Sequence, residues 1–155
     1  MSLRQHTIWM PFHLILASCN KVFIASRSHL LQHGYASDTS WLFQSIPITF
    51  VQWGYAAFAA DLLGHGECGG LPGYIEDIQT TASVALFFYK SVHDWPEHSH
   101  LKKFLFGEST GGGLTFLMLL QDPHGWDGAI FSAPFSTVRT MLGRPTFASL
   151  HMASS

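Results

Sequence analysis

Four short stretches of this chain are apolar without alternating, and that pattern leaves few architectures open. They are Val22-Phe23-Ile24-Ala25 with Leu30-Leu31 just beyond, Tyr55-Ala56-Ala57-Phe58-Ala59-Ala60, Phe104-Leu105-Phe106 and Ala129-Ile130-Phe131. A strand with one face in water alternates polar and apolar side chains. A strand covered on both faces does not, and such strands belong to parallel sheets flanked by helices. In the first stretch the polar run Ser26-Arg27-Ser28-His29 leaves the strand's register open.

Helical segments fall between the runs. Asp38 to Ser40 offer capping side chains for a helix from Trp41 towards Gln52, closed by Gly54. Pro47 lies inside that span and is expected to kink it. From Asp77 to Val92, Ile78, Ala82, Ala85, Leu86 and Tyr89 recur at helical spacing. Leu114 to Leu120 is an apolar helix stopped by Asp122-Pro123. Strand and helix thus alternate along the chain, the order of a parallel α/β sheet.

Composition narrows the class further. The chain has 155 residues, enough for one domain or part of one. It is 47% apolar and 12% charged, against about 25% charged in an average globular chain, which excludes intrinsic disorder. A net charge of −2 argues against a nucleic-acid partner. Mean hydropathy is positive, yet no run of about 18 uncharged apolar residues occurs. Cys19 and Cys68 are too few for a disulfide framework or a cysteine zinc site.

Residues 1–21 admit several readings. Arg4 ahead of Ile8 to Ala17, with Ser18 and Cys19 after it, has the outline of a secretory leader. Pro11 and His13 break that outline; an opening strand, or sequence from a misassembled reading frame, fits as well. Residues 22–137 read as the folded unit and 138–155 as an irregular tail.

The chemistry concentrates in Gly107-Glu108-Ser109-Thr110-Gly111. The pattern G-x-S-x-G is weak alone, but here it joins an apolar strand to an apolar helix, the setting of a nucleophile elbow. The glycines let a sharp turn pass close to its neighbours and lift the serine oxygen to the carboxyl edge of the sheet. The free amide of Thr110 and the helix dipole then face developing negative charge. Upstream, the turn His33-Gly34-Tyr35 also follows a strand and can bring a second amide donor.

Together with Asp38-Thr39-Ser40-Trp41, Gly54-Tyr55 and Asp61-Leu62-Leu63-Gly64-His65-Gly66, these motifs resemble the α/β-hydrolase superfamily. More narrowly, the chain is similar to the monoglyceride lipase-like branch, whose plant members include lysophospholipases and caffeoylshikimate esterases. The similarity runs from about His33 to Pro134. It implies a parallel-sheet α/β-hydrolase core truncated after the strand that follows the nucleophile helix. It also implies Ser109 as nucleophile, backbone amides of Tyr35 and Thr110 as the oxyanion hole, and neither cofactor nor metal. Relatives usually carry Met where Thr110 stands, a change that spares a backbone donor. Asp61 and His65 match a structural loop of the family, and Cys68 reads as an ordinary loop residue. The implied partner is a small-molecule acyl ester or lipid, such as a monoacylglycerol or lysophospholipid. Such substrates suit a cytoplasmic protein or one in peripheral contact with a membrane.

A serine nucleophile needs a histidine base and an acid to hold it, in this fold in the order Ser, acid, His. Downstream of Ser109 the candidates are Asp122, His124, Asp127 and His151. The first three fall between a helix and the start of a strand, some 17 Å from the carboxyl edge for a strand of about five residues. His151 lies on the tail with no acid near it. The expected outcome is an ester hydrolase in class that is nearly inactive as this chain alone, or else a non-catalytic fold that binds acyl or phenolic ligands or a partner chain. His93, His98 and His100 read as a solvated loop rather than a metal site. Glycines 111 to 113 lack the lysine of a phosphate loop. Phe87-Phe88-Tyr89 reads as helix core.

Overall fold

The computed structural model describes residues 14–17, 27–40 and 42–134, with 14–17 described as backbone only. The run Val22 to Ala25, Trp41 and the tail with His151 lie outside the described residues. Five strands form one sheet in the order β1-β3-β2-β4-β5: β1 Leu14–Ala17, β2 Arg27–Gln32, β3 Ala56–Ala60, β4 Lys102–Glu108 and β5 Gly128–Ser132. Strands β3, β2, β4 and β5 run parallel, and β1 pairs antiparallel with β3 from Leu14 opposite Ala60 to Ala17 opposite Ala57. Three helices connect them: α1 Ser45–Gln52, α2 Ile78–His93 and α3 Thr110–Gln121.

The sheet separates two cores, which accounts for the unbroken apolar runs. Leu30, Phe58, Ala60 and Leu105 face α2 and α3, where they meet Ala82, Phe88, Tyr89, Val92, Leu114, Leu117 and Met118. Their neighbours Leu31, Ala57, Ala59 and Phe106 face Phe43 and Phe50 on the α1 side. Period-two alternation therefore divides one apolar run between two apolar layers. Each fully buried leucine in these layers contributes about 2 kcal/mol. Strand β5 is the exception: Ile130 and Phe131 remain 43% and 41% exposed at the sheet edge. Among the described residues no helix is long and apolar enough to cross a membrane.

Several local expectations need correction. The polar run Arg27-Ser28-His29 does not interrupt the first parallel strand; it begins that strand. Ser28 Oγ donates to Lys102 O at 3.2 Å, and the His29 ring stacks on Phe50 with centroids 4.3 Å apart. Helix α1 starts at Ser45, not Trp41, because Asp38 spends its carboxylate on Ser40 N–H and Oγ–H in a local turn. Those bonds hold the Asp38 carboxyl below its usual range. Pro47 then falls in the first turn, where amide hydrogens have no intrahelical acceptor and proline costs no bond. Asp77 does cap α2, accepting from Gln79 N at 3.2 Å and Thr80 N at 2.8 Å.

The histidine loop is not simply solvated. His93 ends α2 buried against Leu101 O at 3.1 Å, and His98 packs edge-on to Phe58 at 4.9 Å. In the aromatic run, Phe88 and Tyr89 are core, whereas Phe87 is 64% exposed, as the helical period demands of a residue between inward positions 85 and 88.

The strand order places the site. From β2 the chain moves to β3 on one side, then crosses to β4 and β5 on the other. The connections leaving β2 and β4 diverge, opening a crevice at the carboxyl edge between these neighbouring strands. His33-Gly34-Tyr35 follows β2 and Ser109 follows β4, so both motifs border that crevice.

Candidate active site

Ser109 stands between the last residue of β4 and the first of α3 with φ 52° and ψ −117°, a conformation few non-glycine residues adopt. Holding it costs about 1–3 kcal/mol, which the surroundings must supply. They do so on three sides. Ser109 N donates to Ser132 O on β5 at 2.9 Å, and Ser109 O accepts from Gly112 N at 3.0 Å. A β-carbon on Gly107 would sit 2.4 Å from Gly111 O and 2.5 Å from Thr115 Oγ1. One on Gly111 would sit 2.4 Å from Gln32 O and 2.5 Å from His33 O. Both glycines of the motif are thus required by close approach, between β4 and α3 and between α3 and the end of β2. Gly112 is closed off in turn by Pro134, 2.8 Å from a β-carbon placed there.

The half-buried Ser109 side chain lies against Gly34, whose β-carbon would be 3.3 Å from Ser109 Cβ and 3.9 Å from Oγ. The structure therefore brings the turn after β2 to the elbow after β4. The amides of Tyr35 and Thr110 have no acceptor among the described residues. Thr110 is the first residue of α3, and its N–H belongs to the unpartnered first turn.

His33, read in the sequence only as part of a turn, is a fully buried strut. Leu62 N donates to its Nε2 at 3.0 Å, so the ring hydrogen must sit on Nδ1, which donates to Gly34 O at 2.8 Å. Burial pushes its pKa below the usual imidazole value, outweighing the opposing pulls of Gly34 O and Asp61. With both nitrogens engaged, this histidine is not a base for Ser109. It fixes the plane of the Gly34–Tyr35 peptide, and in a trans peptide the Tyr35 N–H then points away from the carbonyl that the ring holds. No spacing in the sequence announces this role, since its partner Leu62 is 29 residues away.

Asp61 organises the neighbouring loop. Its Oδ1 accepts from Thr39 N at 2.7 Å and Thr39 Oγ1 at 2.8 Å, and its Oδ2 accepts from Glu67 N at 2.9 Å. A β-carbon on Gly66 would collide with that carboxylate at 2.1 Å. His65 Nδ1 bonds Leu63 O at 3.0 Å, and burial pushes the Cys68 thiol up, away from the reactive thiolate.

The downstream acids stand elsewhere. Asp122 caps the end of α3 and pairs with Lys90 at 2.7 Å. Asp127 Oδ2 accepts from Lys103 N at 2.8 Å, beside the start of β4 and so at the opposite edge from Ser109. Among the described residues Ser109 Oγ has no side-chain hydrogen-bond partner, and no group of three or more His, Cys, Asp or Glu is arranged to hold a metal.

Comparison with known proteins identifies the fold and the family. Residues 25–154 match the family model Hydrolase_4, described as serine aminopeptidase, S33. The caffeoylshikimate esterase of Arabidopsis thaliana is 49% identical over 109 residues, covering 70% of this chain and 33% of that protein. The chain thus spans about a third of the length of the curated relative it matches. Among solved structures, a monoglyceride lipase variant from Saccharomyces cerevisiae superposes with TM-score 0.67 at 20% identity, over 79% of this chain and 40% of that one. Est1E from Butyrivibrio proteoclasticus, solved with ferulic acid, gives 0.66 at 17%, over 79% and 48%. These likenesses show the fold, and the sequence matches show the family: the chain belongs to the Hydrolase_4 (serine aminopeptidase, S33) family of α/β hydrolases and covers part of that fold.

Proposed function

We propose that this chain carries the nucleophile and oxyanion half of a serine ester hydrolase. Ser109 Oγ attacks the carbonyl carbon of a carboxylic ester as its hydroxyl proton passes to water; the carbonyl π electrons move to oxygen, and the resulting oxyanion accepts hydrogen bonds from Tyr35 N–H and Thr110 N–H. Collapse expels the alkoxide, which takes up a proton, and leaves an acyl-Ser109 ester that water later cleaves. The observation that carries this reading is the left-handed elbow at Ser109 set against Gly34, with Thr110 N–H next along the chain and Tyr35 N–H next after Gly34, neither with an acceptor among the described residues.

The curated relative supports a choice of acyl class. Its name specifies an ester of a phenolic acid with a hydroxy acid, and 49% identity makes an aromatic acyl ester the first substrate class to test. Monoacylglycerols come second, through the more distant lipase likeness. An apolar substrate of that second kind would bring the protein to membrane surfaces. The described residues supply no base for Ser109, and losing that base costs on the order of 10⁶ in turnover while leaving about 10³ over water. Slow, Ser109-specific acylation is therefore the activity that the described residues alone would support.

The same shortage favours a second reading, a non-catalytic fold that binds acyl or phenolic ligands or a partner chain. Mass spectrometry after fluorophosphonate treatment separates the two. The esterase reading expects one adduct on Ser109, absent in Ser109→Ala. Folded protein that binds phenolic esters equally well with and without the Ser109 hydroxyl, and never forms the adduct, would establish the second reading.

A further inference from the structure

Tyr35 does more than contribute an amide. Its backbone adjoins Gly34 at the elbow, while its side chain reaches across to the loop after β3, where the phenol donates to Gly73 O at 2.6 Å. The ring meets His65 edge-on, centroids 5.4 Å apart, and is 57% exposed, so it contributes little to either core. The far end of this bond is firm. Gly73 N donates to Gly64 O at 2.7 Å, Gly64 N donates to Gly69 O at 3.0 Å, and Asp61 holds Glu67 N in the same loop. Gly64 at φ +75° is hemmed in: a β-carbon there would lie 2.6 Å from both Leu71 O and Tyr74 O.

The near end is a turn that needs holding. Ala36, directly after Tyr35, has φ 55°, a left-handed conformation unfavourable for alanine. On the side towards β2 the turn is fixed by the His33 ring and by Ser37 N–H at 3.3 Å, both on Gly34 O, and further along Thr39 is tied to Asp61; the Tyr35 phenol adds a tie to the loop at the residue that carries the amide itself. An oxyanion donor is effective only when it is aimed before charge develops.

We propose that the Tyr35 side chain is a positioning residue for its own amide: the phenol–Gly73 bond straps the turn after β2 to the loop after β3 and keeps the second oxyanion donor aimed. This rests on the oxyanion reading given above. The test is fluorophosphonate labelling of the full chain, resolved into reversible affinity and maximal rate. Tyr35→Phe keeps the ring against His65 and removes only the hydroxyl. Loss of one neutral hydrogen bond corresponds to about fivefold, so the maximal rate at Ser109 falls by about that factor with affinity unchanged. Amide exchange at Tyr35 and Ala36 quickens in the same variant, while its unfolding midpoint stays near wild type. A Tyr35→Phe chain that labels at the wild-type maximal rate, or is slowed only through affinity, overturns the strap and leaves Ser109 as nucleophile. A folded wild-type chain whose Ser109 never labels overturns the esterase reading itself, and the strap's role with it.

Discussion

The elbow after β4 and the loop after β3 both leave the carboxyl edge of the sheet, yet they are held by opposite means. The elbow is held by contact: Gly107 and Gly111 allow backbone carbonyls to approach where no β-carbon fits, and the strain at Ser109 is carried by packing. The loop is held by a buried carboxylate, Asp61, which gathers amides from Thr39 and Glu67. A strained elbow needs a rigid steric mould; a long irregular loop has backbone donors to satisfy and gains more from one charged acceptor.

That contrast can be broken on either side. Gly111→Ala drives a methyl group into two carbonyl oxygens and is expected to cost about 3 kcal/mol or more, read as a fall in the denaturant midpoint. Gly69→Ala, with nothing within 4 Å of its β-carbon, should stay within about 0.5 kcal/mol. If the two glycines cost the same, the steric mould is not what holds the elbow. Asp61→Ala leaves three donor groups without their acceptor and should cost about 2–3 kcal/mol; Asp61→Asn, retaining the oxygen that faces Thr39, should cost less.

A pH titration sharpens the comparison from within the sheet. Burial, with a smaller push from the Arg27 charge, lowers His29 from 6.5 to about 4. Between those values the unfolded chain binds a proton that the folded chain does not. Stability is therefore expected to fall as pH drops from about 6.5 to about 4, and to be recovered above that range. His33 and His98 are lowered in the same sense, so His29→Phe should flatten the profile without abolishing it. The smallest effect belongs to Ala36→Gly. Relief of the left-handed alanine exceeds the added freedom of the unfolded chain by less than about 1 kcal/mol, giving a slight rise in midpoint.

What the sequence revealed follows the same division. The strands at Ala56–Ala60, Lys102–Glu108 and Gly128–Ser132 and the elbow between β4 and α3 are local in cause: apolar runs and glycine spacing write them into adjacent residues. The start of β2 was not legible, because Ser28 bonds to Lys102 O and the His29 ring stacks on Phe50, partners far along the chain. Asp38 looked like a helix cap, but a closer competitor, Ser40, takes its carboxylate. Within the site, Ser109 and the two glycines could be read from their spacing. The strut of His33, the clamp of Asp61 and the reach of the Tyr35 phenol depend on contacts spanning 22 to 38 residues, which no local pattern carries.

The most direct test of the central claim is a crystal structure of the chain after reaction with a fluorophosphonate. A phosphorus bonded to Ser109 Oγ, with its free oxygen about 2.7–3.1 Å from both Tyr35 N and Thr110 N, is the expected result. A phosphonyl oxygen turned away from both amides, or an adduct on any residue but Ser109, would contradict it.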